Sequence, residues 1–385
     1  MLFKLKQQVL LLILLFLQNS CIVPYVPVVD EEQELLVVEG IITDQPGINT
    51  IRLAKSIPLW ESQVAKPVKG CKVWLTDDLG NIYNLRETVN GKYITDSASF
   101  KGETGRTYTL HLTSSGNHNY ESFPVEMLPV PPVDTIYYEK ETFDYYHIPF
   151  EGCKIYLDTH DPTNNCNFYR WKYSETWEIR LKNDAPNKVC WKSENSKGIF
   201  IKNTSILAEN MITRYPVTTI TNPDDRLTVK YSILVSQYSM NEDEYLYWDR
   251  LKNTLDQVGG LYDLIPAYIP NNIYCVEIPN EKVLGYFSVS AVSTRRLFIT
   301  DKFKGYDGSS LCLSDTAYGL PIIDPYTLLD ISIPGLNATV WVAEDHTDEP
   351  LPYRVLVHTR WCSDCTKKGI GEYINIKPSF WDEDN

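Results

Sequence analysis

The chain reads as a mainly β protein: a β-sandwich of about seven strands, then a larger β-rich domain with one helical insertion. Three observations predict this. Short apolar segments recur between turn residues, and only one stretch follows a helical period. The 26 Tyr and 9 Trp stand beside only 4 Met, and aromatic side chains suit pleated, half-buried surfaces. At 43% hydrophobic and 22% charged, the composition excludes a disordered, collagen-like or coiled-coil chain. The 385 residues suggest two or three folding units.

Residues 1–20 read as a secretory signal, with Lys4 and Lys6 as its basic start and Val9–Leu17 as its apolar run. That run is too short to span a bilayer, which needs about 20 residues. Ser20 then precedes Cys21, the order found where bacterial lipoproteins are cleaved and their cysteine takes acyl chains such as palmitate. Cys21 is therefore the expected lipidation site. Residues 21–34, with Pro24, Pro27 and Asp30-Glu31-Glu32, read as its tether.

Residues 35–125 form the expected sandwich, through Leu35–Thr43, Thr50–Ala54, Cys71–Thr76, Ile82–Arg86, Gly91–Thr95, Thr107–Thr113 and Tyr120–Pro124. Asp77-Asp78-Leu79-Gly80-Asn81 is a hairpin turn by its chemistry. Residues 126–134, with Pro129, Pro131 and Pro132, read as a stiff linker to a second domain over 135–385. There, Tyr169, Trp171, Tyr173 and Trp177 share one face of a strand spanning Asn167–Arg180. Strands are also expected at Cys153–Asp158, Val189–Ser193, Gly198–Asn203, Arg226–Gln237, Gly285–Ser293, Leu297–Thr300, Val340–Ala343 and Tyr353–His358. The helix starts at a capping box, Ser239-x-x-Glu242, with Glu242, Asp243 and Glu244 at the positive end of its dipole. Tyr245, Trp248, Leu251 or Leu255, and Val258 give a stripe read as core packing, and Gly259-Gly260 ends it.

Charge and motifs narrow the chemistry. With 36 Lys+Arg against 50 Asp+Glu, the net charge of −14 argues against nucleic acid. No GxSxG elbow, P-loop or GxGxxG occurs, and the six His form no HExxH, so no catalytic, cofactor-binding or metal residue is assigned. The acidic run Glu344–Glu349 lacks calcium-loop spacing and reads as a solvated loop. Apart from Cys21, eight cysteines remain, an even number that suits disulfides in an oxidising compartment. Cys362-Ser-Asp-Cys365 has three readings. It is a disulfide partner (with Cys312 closing the loop), a zinc site recruiting His358 and one of Cys190 or Cys312, or a redox pair. The compartment favours disulfides at Cys312, Cys362 and Cys365. The tail aromatics Phe380-Trp381 are expected to pack on the second domain.

A family resemblance adds to this. Leu36–Thr43, Val68–Thr76, Gly105–Leu110, Pro129–Ile136, Tyr169-Arg-Trp171, Cys190-Trp191, Tyr231–Gln237, Tyr245–Trp248, Gly259–Asp263, Gly285–Ser288 and Cys362–Cys365 with Lys377–Trp381 resemble the Bacteroidota lipoproteins grouped as domain-of-unknown-function family 4249. The first domain is also similar to Ig-like, transthyretin-like and carboxypeptidase-regulatory-like sandwiches, which are usually non-catalytic. Asp96-Ser97-Ala98, Asp134-Thr135-Ile136 and Asp315-Thr316-Ala317 resemble O-glycosylation sites of exported Bacteroidota proteins. The resemblance implies proximity to TonB-dependent outer-membrane transporters, but no cofactor and no defined functional residue. The expectation is an outer-membrane lipoprotein of the cell envelope, held by its lipid anchor, acting as a non-catalytic binding or accessory subunit. A hydrolase with a carboxylate pair in the second domain, or a structural surface component, are the alternatives.

Overall fold

A computed structural model describes residues 34–56, 65–145, 147–181, 187–221, 225–257, 269–304, 314–318, 340–345, 354–359, 364–368 and 372–382. Cys21, Cys312 and Cys362 lie outside them, as do the signal and nearly all of the tether. Strands β1 (Leu36–Thr43), β2 (Thr50–Lys55), β3 (Lys66–Pro67), β4 (Lys72–Asp77) and β5 (Ile82–Asn84) come first. Next are β6 (Arg86–Glu87), β7 (Lys92–Ile94), β8 (Thr107–Thr113), β9 (Asn119–Ser122) and β10 (Val125–Glu126). The long β11 (Val133–Tyr145), β12 (Ile148–His160) and β13 (Phe168–Arg180) precede β14 (Val189–Asn195), β15 (Phe200–Asn203), β16 (Met211–Ile220) and β17 (Tyr231–Ser239). Helix α1 (Glu242–Gln257) follows, then β18 (Ile273–Cys275), β19 (Val283–Ser290) and β20 (Val292–Ile299). Three strands remain: β21 (Ser314–Tyr318), β22 (Val340–Asp345) and β23 (Arg354–Thr359). The protein is mainly β, with a single α-helix among the described residues.

The strands form where apolar residues alternate. In β8, Tyr108, Leu110 and Leu112 point inward while the residues between them do not. They meet Val38, Ile42, Ile51, Leu53, Val73 and Leu75 in one core shared by two sheets, ordered β19-β1-β2-β7-β6 and β18-β9-β8-β4-β5. Each sheet therefore takes a strand from residues 273–290, so the first unit is not built from residues 35–125 alone. Parallel pairing of β1 with β19 places Gly285 against Val38. Gly285 has φ +93°, and a Cβ there would meet the Val38 carbonyl oxygen at 2.1 Å. Only glycine permits that approach.

A second core lies under sheet β14-β13-β17-β20 and sheet β11-β12-β16, around Tyr169, Trp171, Trp177, Ile155, Tyr231 and Val235. Strand β16 escaped the sequence reading because Pro216 interrupts it. It lies at a sheet edge, where a missing N–H is tolerated. The expected strand Gly285–Ser293 divides at Ala291, which carries the chain from the first unit's sheet into the second's.

The proline-rich segment 126–134 is not a free spacer. Met127 is fully buried and Val130 packs on both cores. The Gln237 amide donates to the Pro131 carbonyl at 2.9 Å, and Ser239 Oγ to that of Leu128 at 2.6 Å. Thr159 Oγ1 donates to the Pro132 carbonyl at 3.1 Å. Because Ser239 is used there, the helix cap moves. Asn241 Oδ1 accepts the Glu244 N–H at 2.8 Å, making Asn241 the N-cap in place of Ser239.

The disulfide expectation holds for Cys365, but its partner is Cys190, with an S–S distance of 2.02 Å. Cys312 is therefore not the residue bound to Cys365, and neither Cys190 nor Cys365 is open to a zinc ion. The bond fastens the C-terminal segment to β14. Trp381 packs with Trp191 and Phe298, flanked by Phe380, as expected for the tail aromatics.

Candidate functional site

Strand β13 shows why two kinds of surface meet in this fold. Tyr169, Trp171, Trp177 and Ile179 face the second core. The residues between them form a polar face, including Arg170, Lys172 and Glu178. That face is covered, since Arg170 is 9% exposed and Glu178 4%. The C-terminal tail covers the Glu178 end, and α1 covers the Arg170 end.

At the Arg170 end a cleft of about 420 Å³ opens between three elements. Its floor is the outer face of the first unit's sheet, where pairing sets Arg52 opposite Glu39 and Glu39 opposite Tyr286. Two residue pairs further along, on the same face, Thr50 lies opposite Ile41. Helix α1 contributes Tyr247, Trp248 and Leu251, and β13 contributes Arg170 and Lys172. Tyr247 packs on Tyr286, ring centroids 4.9 Å apart, closing the helix onto the floor. A second recess of about 380 Å³ shares Glu39 and Arg52 and continues over Gly91 and Lys92.

Helical spacing aligns Glu244, Tyr247, Trp248 and Leu251 on the inward face of α1. Of the sequence stripe, Trp248 and the Leu251 alternative lie there, whereas Leu255 is exposed and Tyr247, outside the stripe, is buried. Trp248 lies flat under Arg170, whose guanidinium carbon is 3.5 Å from the ring centroid. Glu244 is 1% exposed, and its Oε1 accepts Ser288 Oγ at 2.6 Å and Trp248 Nε1 at 3.1 Å. Arg170 Nη1 stands 4.0 Å from the same oxygen, an ion pair without a hydrogen bond. The guanidinium makes no hydrogen bond to any acceptor among the described residues. Trp248 therefore fixes its plane while its N–H donors stay open toward the cleft.

The electrostatics follow from burial. Desolvation raises the Glu244 carboxyl above the usual range, against the lowering effect of Ser288, Arg170 and Trp248. The same desolvation lowers Arg170, opposed by Glu244. Burial, then the charge of Arg170, brings Lys172 down to about 8. Lys172 makes no ion pair among the described residues and lies 5.9 Å from the Tyr238 ring centroid. In a protein of net charge −14, this cleft gathers Arg52, Arg170 and Lys172 against one exposed carboxylate, Glu39. Cations outnumber exposed carboxylates along its lining.

The sequence profile of the domain of unknown function (DUF4249) matches residues 22–296, more than half of the chain. The chain belongs to this family. Every residue lining the cleft, from Glu39 to Tyr286, falls inside the family's matched span. The protein is also similar to glycolipid 2-alpha-mannosyltransferase 1 of Candida albicans, 27% identical over 131 residues. That likeness covers 31% of this chain and 30% of the mannosyltransferase.

Of the residues singled out from sequence, Cys365 is the one whose chemistry the described residues display. Trp248 was read as core packing alone, and Arg170, Lys172, Glu39 and Arg52 were not singled out. A signal existed in Tyr169-Arg-Trp171, where a cation interrupts aromatics that face the core. Its strand face was readable, but the helix covering that face was not.

Proposed function

We propose that this protein is a non-catalytic binding module that takes a small organic anion into the cleft between α1, β13 and the outer face of β1, β2 and β19. One observation carries the reading: Arg170 is buried and stacked on Trp248, yet its guanidinium donors are uncommitted. A carboxylate accepts two such donors side by side, and Lys172 adds a second cation beside it. The aromatic and apolar body of the ligand lies along Tyr247, Tyr286 and Leu251. In the same reading, residues 1–20 export the chain, and Cys21 anchors it by acyl chains to the outer membrane. There it acts as an accessory subunit of a TonB-dependent transporter, presenting its ligand. The Lys4 and Lys6 start, the apolar run and the Ser20-Cys21 junction support the anchor.

The cleft is tested by thermal shift and calorimetry with benzoate, glucuronate and phosphate, against the uncharged benzyl alcohol and glucose. At least one anion is expected to raise the melting temperature, and Arg170→Gln is expected to abolish that rise. An equal response in the variant, or no response to any anion, overturns the reading. The anchor is tested separately by detergent phase separation of Cys21→Ser. The variant is expected in the aqueous phase, and its retention with detergent contradicts lipidation.

A further inference from the structure

On the other sheet of the first unit, the turn joining β8 to β9 faces the strand that crosses from the second unit. Ser114 closes the turn, its N–H donating to the His118 carbonyl and its Oγ accepting the His118 N–H at 3.2 Å. Asn117 supplies the left-handed residue, with φ 60°. Period two then puts His118 and Tyr120 on one face, and Tyr120 pairs directly with Cys275 of β18. One ligand atom each from His118, Cys275 and Glu281 lies within 4.8 Å of the other two.

Three further facts bear on what this cluster holds. Neither ring nitrogen of His118 makes a hydrogen bond among the described residues, and Nδ1 is buried. Tyr120 Oη donates to Glu281 Oε1 at 2.7 Å, which leaves Glu281 Oε2 for another partner. Cys275 is a buried free thiol, with Glu277 Oε2 3.6 Å from its sulfur. Glu277 is itself fixed by the backbone N–H and side-chain amide of Asn119, at 2.9 and 2.6 Å.

We infer that His118, Cys275 and Glu281 form a zinc-type metal site. Imidazole nitrogen, thiolate sulfur and carboxylate oxygen together are the donor set of a borderline cation such as Zn²⁺, whereas Ca²⁺ and Mg²⁺ take oxygen alone. Tyr120 orients the ligating carboxylate, the role of a hydrogen-bonded group beside a metal ligand. Solvent fills the fourth position. On binding, the Cys275 sulfur loses its proton to solvent and bonds the metal as thiolate. The site ties residues 275–281 to β9 and so locks the crossing segment into the first unit's sheet. It shares no residue with the anion cleft and stands or falls without it.

The test uses the full mature chain, stripped with chelator under conditions that leave Cys275 reduced, then titrated with Zn²⁺ and Co²⁺. One equivalent is expected to bind and to raise the melting temperature, and Co²⁺ should show a thiolate-to-metal absorption band. His118→Gln and Glu281→Gln should each weaken binding at least about tenfold. Cys275→Ser should remove the band, and Cys71→Ser should keep it. A band that survives Cys275→Ser, or binding of Ca²⁺ in preference to Zn²⁺, overturns the site. Should Cys275→Ser fail to fold, His118→Gln decides, because its turn is closed by Ser114. Unchanged zinc affinity in that variant contradicts the proposal.

Discussion

The two ends of the outer face of β13 are both buried and both charged, yet they are finished differently. At the Glu178 end, the tail completes the chemistry. Glu178 Oε2 accepts Trp381 Nε1 at 2.9 Å and Oε1 accepts Arg180 Nε at 2.7 Å. Lys230 then donates to the Trp381 carbonyl, and the Cys190–Cys365 bond ties the segment down. At the Arg170 end, α1 supplies an aromatic support and a distant carboxylate but no acceptor for the guanidinium. A buried charge ordinarily requires hydrogen-bonded partners. The Glu178 end meets that requirement within the chain and reads as structure. The Arg170 end leaves it to something outside the chain and reads as a site.

Breaking the staple tests the structural end most severely. Cys190→Ser is expected to destabilise the fold by about 2–5 kcal/mol, given the 175-residue separation it bridges, measured by denaturant unfolding. Anion binding at the far end of β13 should survive below the melting transition. Reductant should act in the same direction on the wild type, and thiol labelling of the unfolded, non-reduced chain should find Cys190 and Cys365 blocked. Arg170→Gln should act on binding. Losing charge-assisted bonds weakens anion affinity by roughly 10- to 100-fold, from about 1.5–3 kcal/mol. Its melting temperature without ligand should fall as well, because the ion pair with Glu244 and the stacking on Trp248 are lost. Affinity measured below the transition is therefore the readout that separates the two ends. Glu178→Gln should lower stability by about 1–3 kcal/mol and leave affinity unchanged. If Glu178→Gln instead impairs binding, the two ends are not independent.

The smallest expected effect is a pH dependence. Lys172 has a folded pKa of about 8, below the usual lysine value, so the unfolded chain binds this proton more tightly. Stability therefore rises as pH climbs from about 8 toward the ordinary lysine range. Affinity moves the other way. The bound anion favours charged Lys172, so above about pH 8 binding takes up a proton and weakens by up to about tenfold per pH unit. Lys172→Met should flatten that slope, and an unchanged slope in the variant assigns it elsewhere.

How much of this was legible in the sequence depends on the range of the interaction. The strand pattern, the single helix and the packing of Phe380-Trp381 follow from local periodicity and aromatic content, and they were readable. The helix was placed but its cap was not. Ser239 and Asn241 both have capping chemistry, and only the claim of Leu128 and Ala291 on Ser239 decides between them. The proline run at 129–132 looked like a spacer because its composition is extended and stiff. Its burial comes from Gln237, Thr159 and Ser239, far away in sequence. Limited proteolysis should accordingly spare residues 126–134. The cleft was least legible, since Glu39 meets Tyr286 only through the parallel pairing of β1 with β19. Alternation placed Arg170 on the face opposite Trp171, but no local rule tells what covers that face. The Cys190–Cys365 pairing likewise needed the tail's path across β14.

The most direct test of the central claim is a crystal structure of the full mature chain with para-iodobenzoate, whose iodine is located by anomalous scattering. The account predicts the carboxylate bidentate on Arg170 and within reach of Lys172, with the ring against Tyr247 and Tyr286 and Trp248 still beneath the guanidinium. Arg170 paired instead with a carboxylate of the protein, with no ligand in the cleft, would contradict it.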